Sequence, residues 1–380
     1  MLYLVGAIGS GGYVYLSFLV PLWGLTLGAP PASVGLIAGA AALLSSVLTV
    51  PAGALVDRHG ARVVLVGGAL LTTAAAALFP FAPGYWWLVP LQVAAGLGRT
   101  VAWVAAQAYL IQSTPRAQLA SRTTRFSFVT GTATFLAPLI GGQLIDRGGY
   151  GAAFAFGAVV YALSAAGTFT LPAPAQLGAP TPGWNVWGVY RNAGAMLLRV
   201  GVLLLMGGTI IRLALTSIRT PFIPVYLLEI GEGPAVSGAV LALGTLAGVA
   251  ATLGMGWAQG RLGAGRALFL ALMMGAVAMW VTSFLHDLWS ILVVGLFWGS
   301  SIAITLPPLL TLVGQQTSAE ERGLGTALRN TGNEWSNMLS PVLFGLVAER
   351  TGVAEAFAIV GAVLLAASTA GLVWARRLTD

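Results

Sequence analysis

The chain has 380 residues, of which 57% are hydrophobic and only 8% are charged. A soluble domain carries about 25% charged residues, so this composition excludes an ordinary soluble protein and indicates an integral membrane protein. The net charge of +7 would suggest nucleic acid in a soluble protein, but here the arginines lie mostly in short loops between apolar segments, where they set membrane topology. The chain has no cysteine, which excludes disulfides, thiolate metal sites and thiol nucleophiles.

Apolar segments follow one another along almost the whole chain. A helix needs about 20 apolar residues to cross a membrane, and twelve segments meet this length. Six lie near residues 4–26, 33–56, 62–82, 86–110, 122–145 and 150–171, and six lie near 200–228, 235–258, 266–285, 288–313, 323–347 and 353–375. The first segment is too long for a cleavable signal and lacks a basic leader, so we expect it to be the first span.

A polar stretch rich in proline and glycine, residues 172–199, separates the two sets of six segments. It carries Trp184 and Trp187, and such aromatic residues are typical of a segment on the membrane surface. We therefore predict an all-α membrane protein with twelve transmembrane helices in two six-helix bundles, at 1–171 and 200–380, joined by a cytoplasmic, interfacial linker at 172–199.

The arginines are distributed unequally between alternate loops. Nearly all loop arginines fall in one set of loops, whereas the other set holds only Arg147 and Arg350. Cytoplasmic loops are enriched in basic residues, so both termini are predicted to lie in the cytoplasm. We expect a multi-pass protein of the plasma (inner) membrane.

The two halves of the chain resemble each other at a constant offset of 203 residues. Transporter folds are often built from internal repeats, and this offset aligns loops with loops without a gap. The matches include Pro21 with Pro224, Gly35 with Gly238, Gly60 with Gly263, Gly96 with Gly299, Pro138 with Pro341 and Phe154 with Phe357. The sequence therefore predicts two parallel, pseudo-symmetric halves.

The stretch from Gly53 to Arg62 is the only cluster of charge in the first ninety residues. Its spacing resembles the loop signature of the major facilitator superfamily, Gly-x-Leu-Ala-Asp-Arg-x-Gly-Arg-Arg/Lys, between the second and third helices. The matching residues are Gly53, Leu55, Asp57, Arg58, Gly60 and Arg62, and the departures are Val56 and Ala61. The resemblance extends over essentially the whole chain, because two six-helix halves are also the architecture of this superfamily.

The resemblance implies a gating role for this loop. In the superfamily its acid and bases hold the cytoplasmic ends of the two halves together in the outward-open state, through charge-assisted pairs that break when the halves rock. The predicted gating residues are Gly53, Asp57, Arg58, Gly60 and Arg62. The alternative is a purely topological loop. The superfamily often has an acid where Gln112 stands here, which leaves the partner of Arg58 and Arg62 open.

In the superfamily that this chain resembles, the first, fourth, seventh and tenth helices line a central cavity. Those four segments carry polar residues at three- and four-residue steps, which places the residues of each segment on one helix face. The predicted substrate-binding residues on the first and fourth segments are Tyr13, Ser17, Gln92, Arg99, Trp103 and Gln107. On the seventh segment they are Arg212, Thr216 and Arg219, and the tenth segment carries Trp298, Ser301 and Thr305.

Two of these arginines, Arg99 and Arg212, fall near the centres of their segments. A central arginine costs about 2.5–3.5 kcal/mol on insertion scales, so each should face water, a counter-charge or a substrate. The alternative for each is an internal ion pair that only holds helices together. Arg219 lies nearer the outer face, and it either snorkels outward or joins the site.

Glu334 is the only acid that we place near the middle of the membrane. It lies in the eleventh segment on a face shared with Asn333 and Asn337, which we add to the predicted substrate site. Burial favours a protonated carboxyl group and a nearby arginine favours the ionised form, so a Glu that exchanges an arginine for a proton is a coupling site. The alternative is a permanently ionised Glu334 that is paired with Arg329 or another arginine.

These features together predict a proton-coupled secondary transporter that works by alternating access. Three deep arginines against one deep Glu make the cavity positive, which favours small anionic or amphiphilic organic compounds or drugs. The run Ala133-x-x-x-Ala137-Pro138-x-x-Gly141-Gly142 is similar to a run in drug/proton antiporters of the superfamily, although it also suits close helix packing. It favours export over the alternative, which is proton-coupled import of an organic anion.

Other classes of protein fit the sequence less well. An enzyme would need a cluster of catalytic or metal-binding side chains, but the only histidines, His59 and His286, lie in loops on opposite sides of the membrane. A channel is disfavoured by the twofold repeat, and without lysine the chain cannot form a Gly-x-x-x-x-Gly-Lys loop for ATP. We expect no cofactor, no metal and no nucleic acid, and a monomer whose partners are the substrate, protons and the lipid bilayer.

Overall fold

The computed structural model describes residues 2–114, 116–172, 200–316 and 322–377, and the regular structure in these ranges is helical throughout. The helices of the first half are α1 (Leu2–Thr26), α2 (Pro31–Leu43), α3 (Ser45–His59), α4 (Ala61–Leu78), α5 (Leu88–Gln112) and α6 (Arg116–Phe169). Those of the second half are α7 (Val200–Glu229), α8 (Pro234–Thr252), α9 (Met255–Leu262), α10 (Ala264–Thr282), α11 (Leu288–Ile304), α12 (Leu306–Gln316), α13 (Arg322–Thr351) and α14 (Val353–Arg377).

Ten helical segments in the described ranges are long and apolar enough to cross a membrane. One of them, Ser121–Phe169, holds two of the predicted spans, because α6 is interrupted at Gly149, where φ is 72° and ψ is 177°. The 30 residues of α13 are long enough to span but are more polar than the other ten segments. With α6 counted as two spans and α13 included, the helices account for the twelve predicted crossings.

Three predicted spans are divided in the structure: the segment at 33–56 into α2 and α3, that at 235–258 into α8 and α9, and that at 288–313 into α11 and α12. The last of these divides at Thr305. Pro307 and Pro308 lack the N–H groups that would bond to the carbonyl groups four residues earlier, so the last turn of α11 cannot continue as a regular helix. The break at Thr305 therefore has a local cause in the sequence.

Turns at glycine show that the sequence repeat is also a repeat of structure. Six glycines in the described ranges have positive φ, between 72° and 98°. They form three pairs at the offset of 203 residues, namely Gly28 with Gly231, Gly60 with Gly263 and Gly149 with Gly352. Each separates one helical stretch from the next, in a conformation that glycine adopts at least cost. The backbone therefore turns at matching positions in the two halves.

Small residues set very close helix contacts in both halves. A Cβ built at Gly96 of α5 would overlap the carbonyl oxygen of Ala41 in α2, and one built at Gly299 of α11 would overlap that of Gly244 in α8. Positions 41 and 244, like positions 96 and 299, are related by the offset of the repeat. Helices in lipid have little hydrophobic drive to associate with one another, so close packing of this kind holds them together.

The helices form two compact units. The first contains α1 to α6 together with residues 233–239, and the second contains α7, the rest of α8, and α9 to α14. The predicted linker at 172–199 lies outside the described residues except for its first position. The predicted boundaries of the two bundles therefore stay a prediction.

Each unit has an aromatic centre built around one member of a repeat pair. In the first unit the ring of Phe154 lies 5.7 Å from that of Phe79 and 6.2 Å from that of Trp23, measured between centroids. In the second unit Phe357 lies 4.9 Å from Phe344 and 5.8 Å from Trp298. Both phenylalanines of the pair are buried, so the two units share the position of their core as well as their turns.

We expect Gly96→Ala and Gly299→Ala each to destabilise the protein, because the added methyl group would force two helix backbones apart. Overpacking of this kind costs about 1–3 kcal/mol. The matched control is Gly67→Ala in α4, where a Cβ would have no neighbour within 4 Å and alanine favours the helix. Thermal unfolding of the purified protein in detergent measures the effect, and equal melting temperatures for the three variants would contradict the packing assignment.

Candidate functional site

A cavity of about 230 Å³ with a mixed polar and apolar lining, called the polar cavity below because it contains Arg99, lies inside the first unit between α1, α4, α5 and α6. Its polar and aromatic lining includes Ser10 and Tyr13 from α1 and Arg99 and Trp103 from α5. Apolar side chains such as Leu65 complete the walls. Among the described residues that line this cavity, Arg99 is the only charged one, so the cavity is positive.

Arg99 lies over the ring of Tyr13, with its Cζ atom 4.1 Å from the ring centroid. Such a cation–π contact stabilises by about 0.5–1 kcal/mol at an exposed site and by about 2 kcal/mol when desolvated. Both side chains are half-buried. A guanidinium binds a carboxylate or phosphate through N–H groups in its own plane, so stacking on Tyr13 orients Arg99 without competing for an anion.

Close contact between α1 and α6 supports the aromatic wall of the cavity. The ring of Trp103 lies 5.8 Å from that of Phe126 in α6, between centroids. A Cβ built at Gly6 of α1 would overlap the Phe126 ring. Because α1 has no side chain at this position, Phe126 can pack behind Trp103 and fix its orientation.

Four further polar residues line the cavity although the sequence interpretation named none of them. They are Thr72 of α4 and Thr134, Tyr161 and Ser164 of α6. These helices correspond to the third, fifth and sixth predicted segments, which the resemblance does not place at a cavity. The sequence signal for them is weak: Tyr161 and Ser164 are three residues apart in an apolar stretch and therefore share a helix face.

Three of the six substrate-binding residues predicted in the first unit do not line this cavity. Gln92 of α5 is buried, Gln107 of the same helix is exposed, and Ser17 of α1 is half-buried. α5 passes different neighbours along its length, so one helix face is covered at one end, lines the cavity in the middle and is exposed at the other end. The assignment of these three residues to a substrate site stays a prediction.

In the second unit Arg212 connects α7 to α11. Its Nε atom donates a hydrogen bond to the carbonyl oxygen of Ile302 at 3.3 Å. The offset of the repeat relates Ile302 to Arg99 and relates α7 and α11 to α1 and α5. In each unit one arginine therefore joins the equivalent pair of helices. In the first unit Arg99 of α5 contacts α1, and in the second Arg212 of α7 contacts α11. Thr216 donates its hydroxyl to the carbonyl oxygen of Arg212 at 2.8 Å, so that hydroxyl is engaged by its own helix.

Arg219 is buried against α8 and does not snorkel to the membrane surface. Its side chain is 6% exposed, and Nη2 donates to the carbonyl oxygens of Val240 at 3.4 Å and Leu241 at 3.2 Å. A Cβ built at Gly244 would overlap this Nη2 atom, so glycine is needed there to admit the guanidinium. The contact joins α7 to α8, and a direct role of Arg219 in substrate binding stays a prediction.

The polar face of α13 carries Asn333, Glu334 and Asn337, all of which are half-buried. Ser336 of the same helix donates to the carbonyl oxygen of Ile210 in α7 at 3.0 Å, so α13 packs on α7. The side chain of Arg329, the suggested partner of Glu334, lies outside the described residues.

The polar residues of the tenth predicted segment belong to the core of the second unit. Trp298, Ser301 and Thr305 are each 0% exposed. The hydroxyls of Ser301 and Thr305 donate to carbonyl oxygens three residues earlier, at 2.8 Å and 2.7 Å. The expectation that this stripe faces a cavity is wrong, because all three side chains are packed in the core and both hydroxyls bond to their own helix.

The stretch from Gly53 to Arg62 is the end of α3, a turn and the start of α4. Gly60 has a φ of 85°, as the predicted chain reversal requires. Arg62 donates from Nη2 to the carbonyl oxygen of Phe169 at 2.6 Å, at the C-terminus of α6, where the helix dipole favours a cation. Arg58 is exposed, and the side chain of Asp57 lies outside the described residues. The partner of Arg62, which the sequence left open, is therefore the C-terminus of α6 in the same unit.

Comparison with known proteins decides the family. A family model described as Major Facilitator Superfamily matches residues 2–220 and 205–379, which together are nearly the whole chain. The chain belongs to the major facilitator superfamily. It is therefore a transporter and not an enzyme, and it is a multi-pass integral membrane protein.

Two curated relatives of this transporter are both named MFS-type transporter ppzB. The one from Metarhizium rileyi (strain RCEF 4871) is 32% identical over 119 residues, which is 31% of this chain and 24% of the relative. The one from Metarhizium majus (strain ARSEF 297) is 29% identical over 115 residues, which is 30% of this chain and 25% of the relative. The alignments span about a quarter of the length of these relatives.

Solved structures resemble this transporter over nearly its full length. A mutant of the nucleoside transporter NupG matches 98% of this chain and 100% of its own, with a TM-score of 0.83 and 12% identity. A bacterial homologue of the human lysosomal transporter Spinster, inward-facing and occupied, matches 99% of this chain and 95% of its own, with a TM-score of 0.81 and 15% identity. At these identities the likeness shows the fold, and it confirms the predicted superfamily architecture.

We expect Arg62→Ala to lower the melting temperature, because it removes a charge-assisted hydrogen bond at the C-terminus of α6. The loss should be about 1 kcal/mol, since Arg62 is partly exposed to solvent. Arg58→Ala is the matched control, because it removes the same charge from the same loop at an exposed position. Thermal unfolding compares the two, and an equal decrease for both would show that loop charge matters and the contact with Phe169 does not.

Proposed function

We propose that this transporter exports small anionic or amphiphilic organic compounds or drugs, coupled to protons and by alternating access. The observation that carries the substrate class is the cavity of the first unit, whose described lining contains Arg99 and no acidic residue. A half-buried guanidinium in a cavity wall can form charge-assisted hydrogen bonds with a ligand that carries a carboxylate or phosphate group. The stacking of Arg99 on Tyr13 supports this, because it presets the orientation of the guanidinium before an anion arrives.

The size of the cavity limits what it can hold. Pockets for drug-sized ligands have volumes of about 300–1,000 Å³, whereas this cavity has about 230 Å³. The cavity therefore suits a small organic anion, or the head group of a larger molecule. Its aromatic wall, with Tyr13, Trp103 and Tyr161, adds apolar contact area beside the charge.

Glu334 is the proposed site of proton coupling. It is half-buried on α13, among asparagine side chains that can accept and donate hydrogen bonds as its charge changes. A carboxylate in a membrane interior is costly when ionised, which makes proton uptake there favourable once its partner is withdrawn. The proposed substrate site has further members in both units. Those of the second unit are Asn333, Asn337, Arg212, Thr216 and Arg219, and those of the first are Gln92, Gln107 and Ser17.

The direction of transport and the gate are also proposals. Export rests on the small-residue run from Ala133 to Gly142, and the alternative is proton-coupled import of an organic anion. We place the loop from Gly53 to Arg62 at the cytoplasmic face as a gate, with both chain termini on that side of the plasma (inner) membrane, and we propose that the transporter acts as a monomer. Proteoliposomes of known orientation with a proton gradient of either sign distinguish export from import.

We expect Arg99→Ala to lower kcat/KM for anion transport by about tenfold or more, because the variant loses a charge-assisted hydrogen bond to the substrate. Uptake of radiolabelled benzoate, butylphosphonate and decylphosphonate into proteoliposomes measures it. Arg261→Ala is the matched control, since Arg261 also stacks on an aromatic ring, that of Trp257 at 4.6 Å, but is exposed. If all three anions were transported equally by wild type and Arg99→Ala, the anionic substrate class would be wrong.

We expect Glu334→Gln to abolish accumulation driven by a proton gradient while exchange of substrate across the membrane continues, because the variant cannot carry a proton. Glu349→Gln in the same helix is the control, since Glu349 is exposed. A pH-sensitive dye inside proteoliposomes reports substrate-dependent proton movement. Normal accumulation by the Glu334→Gln variant would place coupling elsewhere.

A further inference from the structure

A second cavity of the first unit is apolar and shares a wall with the polar one. It is a groove of about 200 Å³ lined by α1 and by both parts of α6, including Ile8, Leu136, Phe156 and Val160. Tyr161 lines both this groove and the polar cavity that holds Arg99. One aromatic side chain is therefore common to a cavity that contains a charged residue and to a groove whose described lining contains none.

Glycines of α1 take part in the walls of both compartments. Gly9 faces the polar cavity, whereas Gly11 and Gly12 face the groove. A Cβ built at Gly12 would overlap the hydroxyl of Tyr161, so the Tyr161 ring lies directly against the helix backbone. The Tyr161 ring and the backbone of α1 are therefore in contact where the two linings meet.

The groove is open at the apolar surface of spanning helices. Leu136 is 37% exposed and Phe156 is 39% exposed, and both lie in segments long enough to cross the membrane. The hydroxyl of Tyr15, a further lining residue, donates to the carbonyl oxygen of Ala153 at 2.6 Å, so it offers no polar group to the groove. An exposed apolar surface of this kind on a membrane protein is suited to hydrocarbon.

From this juxtaposition we propose that the groove receives the hydrocarbon tail of an anionic amphiphile that enters from the bilayer, while its head group crosses beside Tyr161 to Arg99. The proposal rests on the proposed function and narrows its substrate class, small anionic or amphiphilic compounds, to anions with a hydrocarbon tail. Two observations support it together. The polar cavity is too small for a whole amphiphile, and the groove beside it provides a comparable volume with an almost entirely apolar lining. The charge lies on one side of Tyr161 and the apolar volume on the other.

The proposal gives Tyr161 a specific role as a movable partition. Its ring is 5% exposed, and its phenol can present an apolar face to a tail and a hydroxyl to a head group. An amphiphile that spans both compartments must displace this ring or pass its edge. Tyr161 is therefore a specificity-determining residue for substrates with a tail.

The test uses decylphosphonate with a diazirine at the end of its tail, as a photo-crosslinking probe for the protein in lipid nanodiscs. Mass spectrometry locates the labelled peptides. We expect saturable labelling near Leu136 and Val160, which unlabelled decylphosphonate displaces at concentrations at least about tenfold below those needed for butylphosphonate, since each buried methylene group adds about fourfold in affinity. A decanol probe with the same diazirine is the control: it has the same tail without the anionic head group, and it reports the labelling that any hydrocarbon chain in the bilayer would give.

Two matched variants distinguish the groove from the surrounding surface. Val160→Trp fills the groove and should weaken decylphosphonate labelling by at least about tenfold. Val159→Trp makes the same change on the neighbouring residue, which is 57% exposed and lies outside the groove lining, and it should label like wild type. Size-exclusion chromatography checks that both variants are folded.

Each result either supports or overturns the proposal. Equal labelling by the decanol and decylphosphonate probes, or no difference between Val160→Trp and Val159→Trp, would show that the groove holds bilayer lipid and not substrate. Equal competition by butylphosphonate and decylphosphonate, with binding still lost in Arg99→Ala, would overturn the tail site and leave the anionic substrate class intact. Binding of every phosphonate without dependence on Arg99 would instead overturn the proposed function.

Discussion

Helix backbones approach each other directly at glycines in this protein, and the positions of the other residues follow from those contacts. In a bilayer each backbone N–H and C=O group must be satisfied within its own helix, so the helices need another source of cohesion. Gly96 against Ala41 supplies it in the first unit, and Gly299 against Gly244 supplies it in the second. Because the repeat relates these contacts, both units are assembled around the same helix crossing.

The same packing decides what each deep arginine can do. Gly244 leaves the space in which the guanidinium of Arg219 reaches the backbone of α8, so this arginine ties two helices together. Arg212 reaches the carbonyl oxygen of Ile302, whereas Arg99 lies over an aromatic ring at the wall of a cavity. A cation away from water is stabilised by hydrogen bonds or aromatic faces; here two of the three arginines bond to backbone carbonyl oxygens and the third lies over a tyrosine ring.

The transporter thus has, within one unit, a charged cavity and an apolar groove on either side of Tyr161. Helix α1 contributes to both walls, with Gly9 at the cavity and Gly11 and Gly12 at the groove. A molecule with a charged head and an apolar tail matches that contrast better than a uniformly polar one. Substrate selection would then depend on the partition between the compartments as well as on Arg99.

The sequence by itself determined the membrane class, the spans, the repeat and the turns, because hydrophobic length and a need for glycine at positive φ are local properties. Gly60 and Gly263, for example, are recognisable without a structure. Only the tertiary structure decided which polar residues face a cavity, since that depends on the helices packed around them. Polar spacing alone suggested that Ser301 faces a cavity, but it is buried in the core, whereas Tyr161 in an apolar stretch lines both compartments.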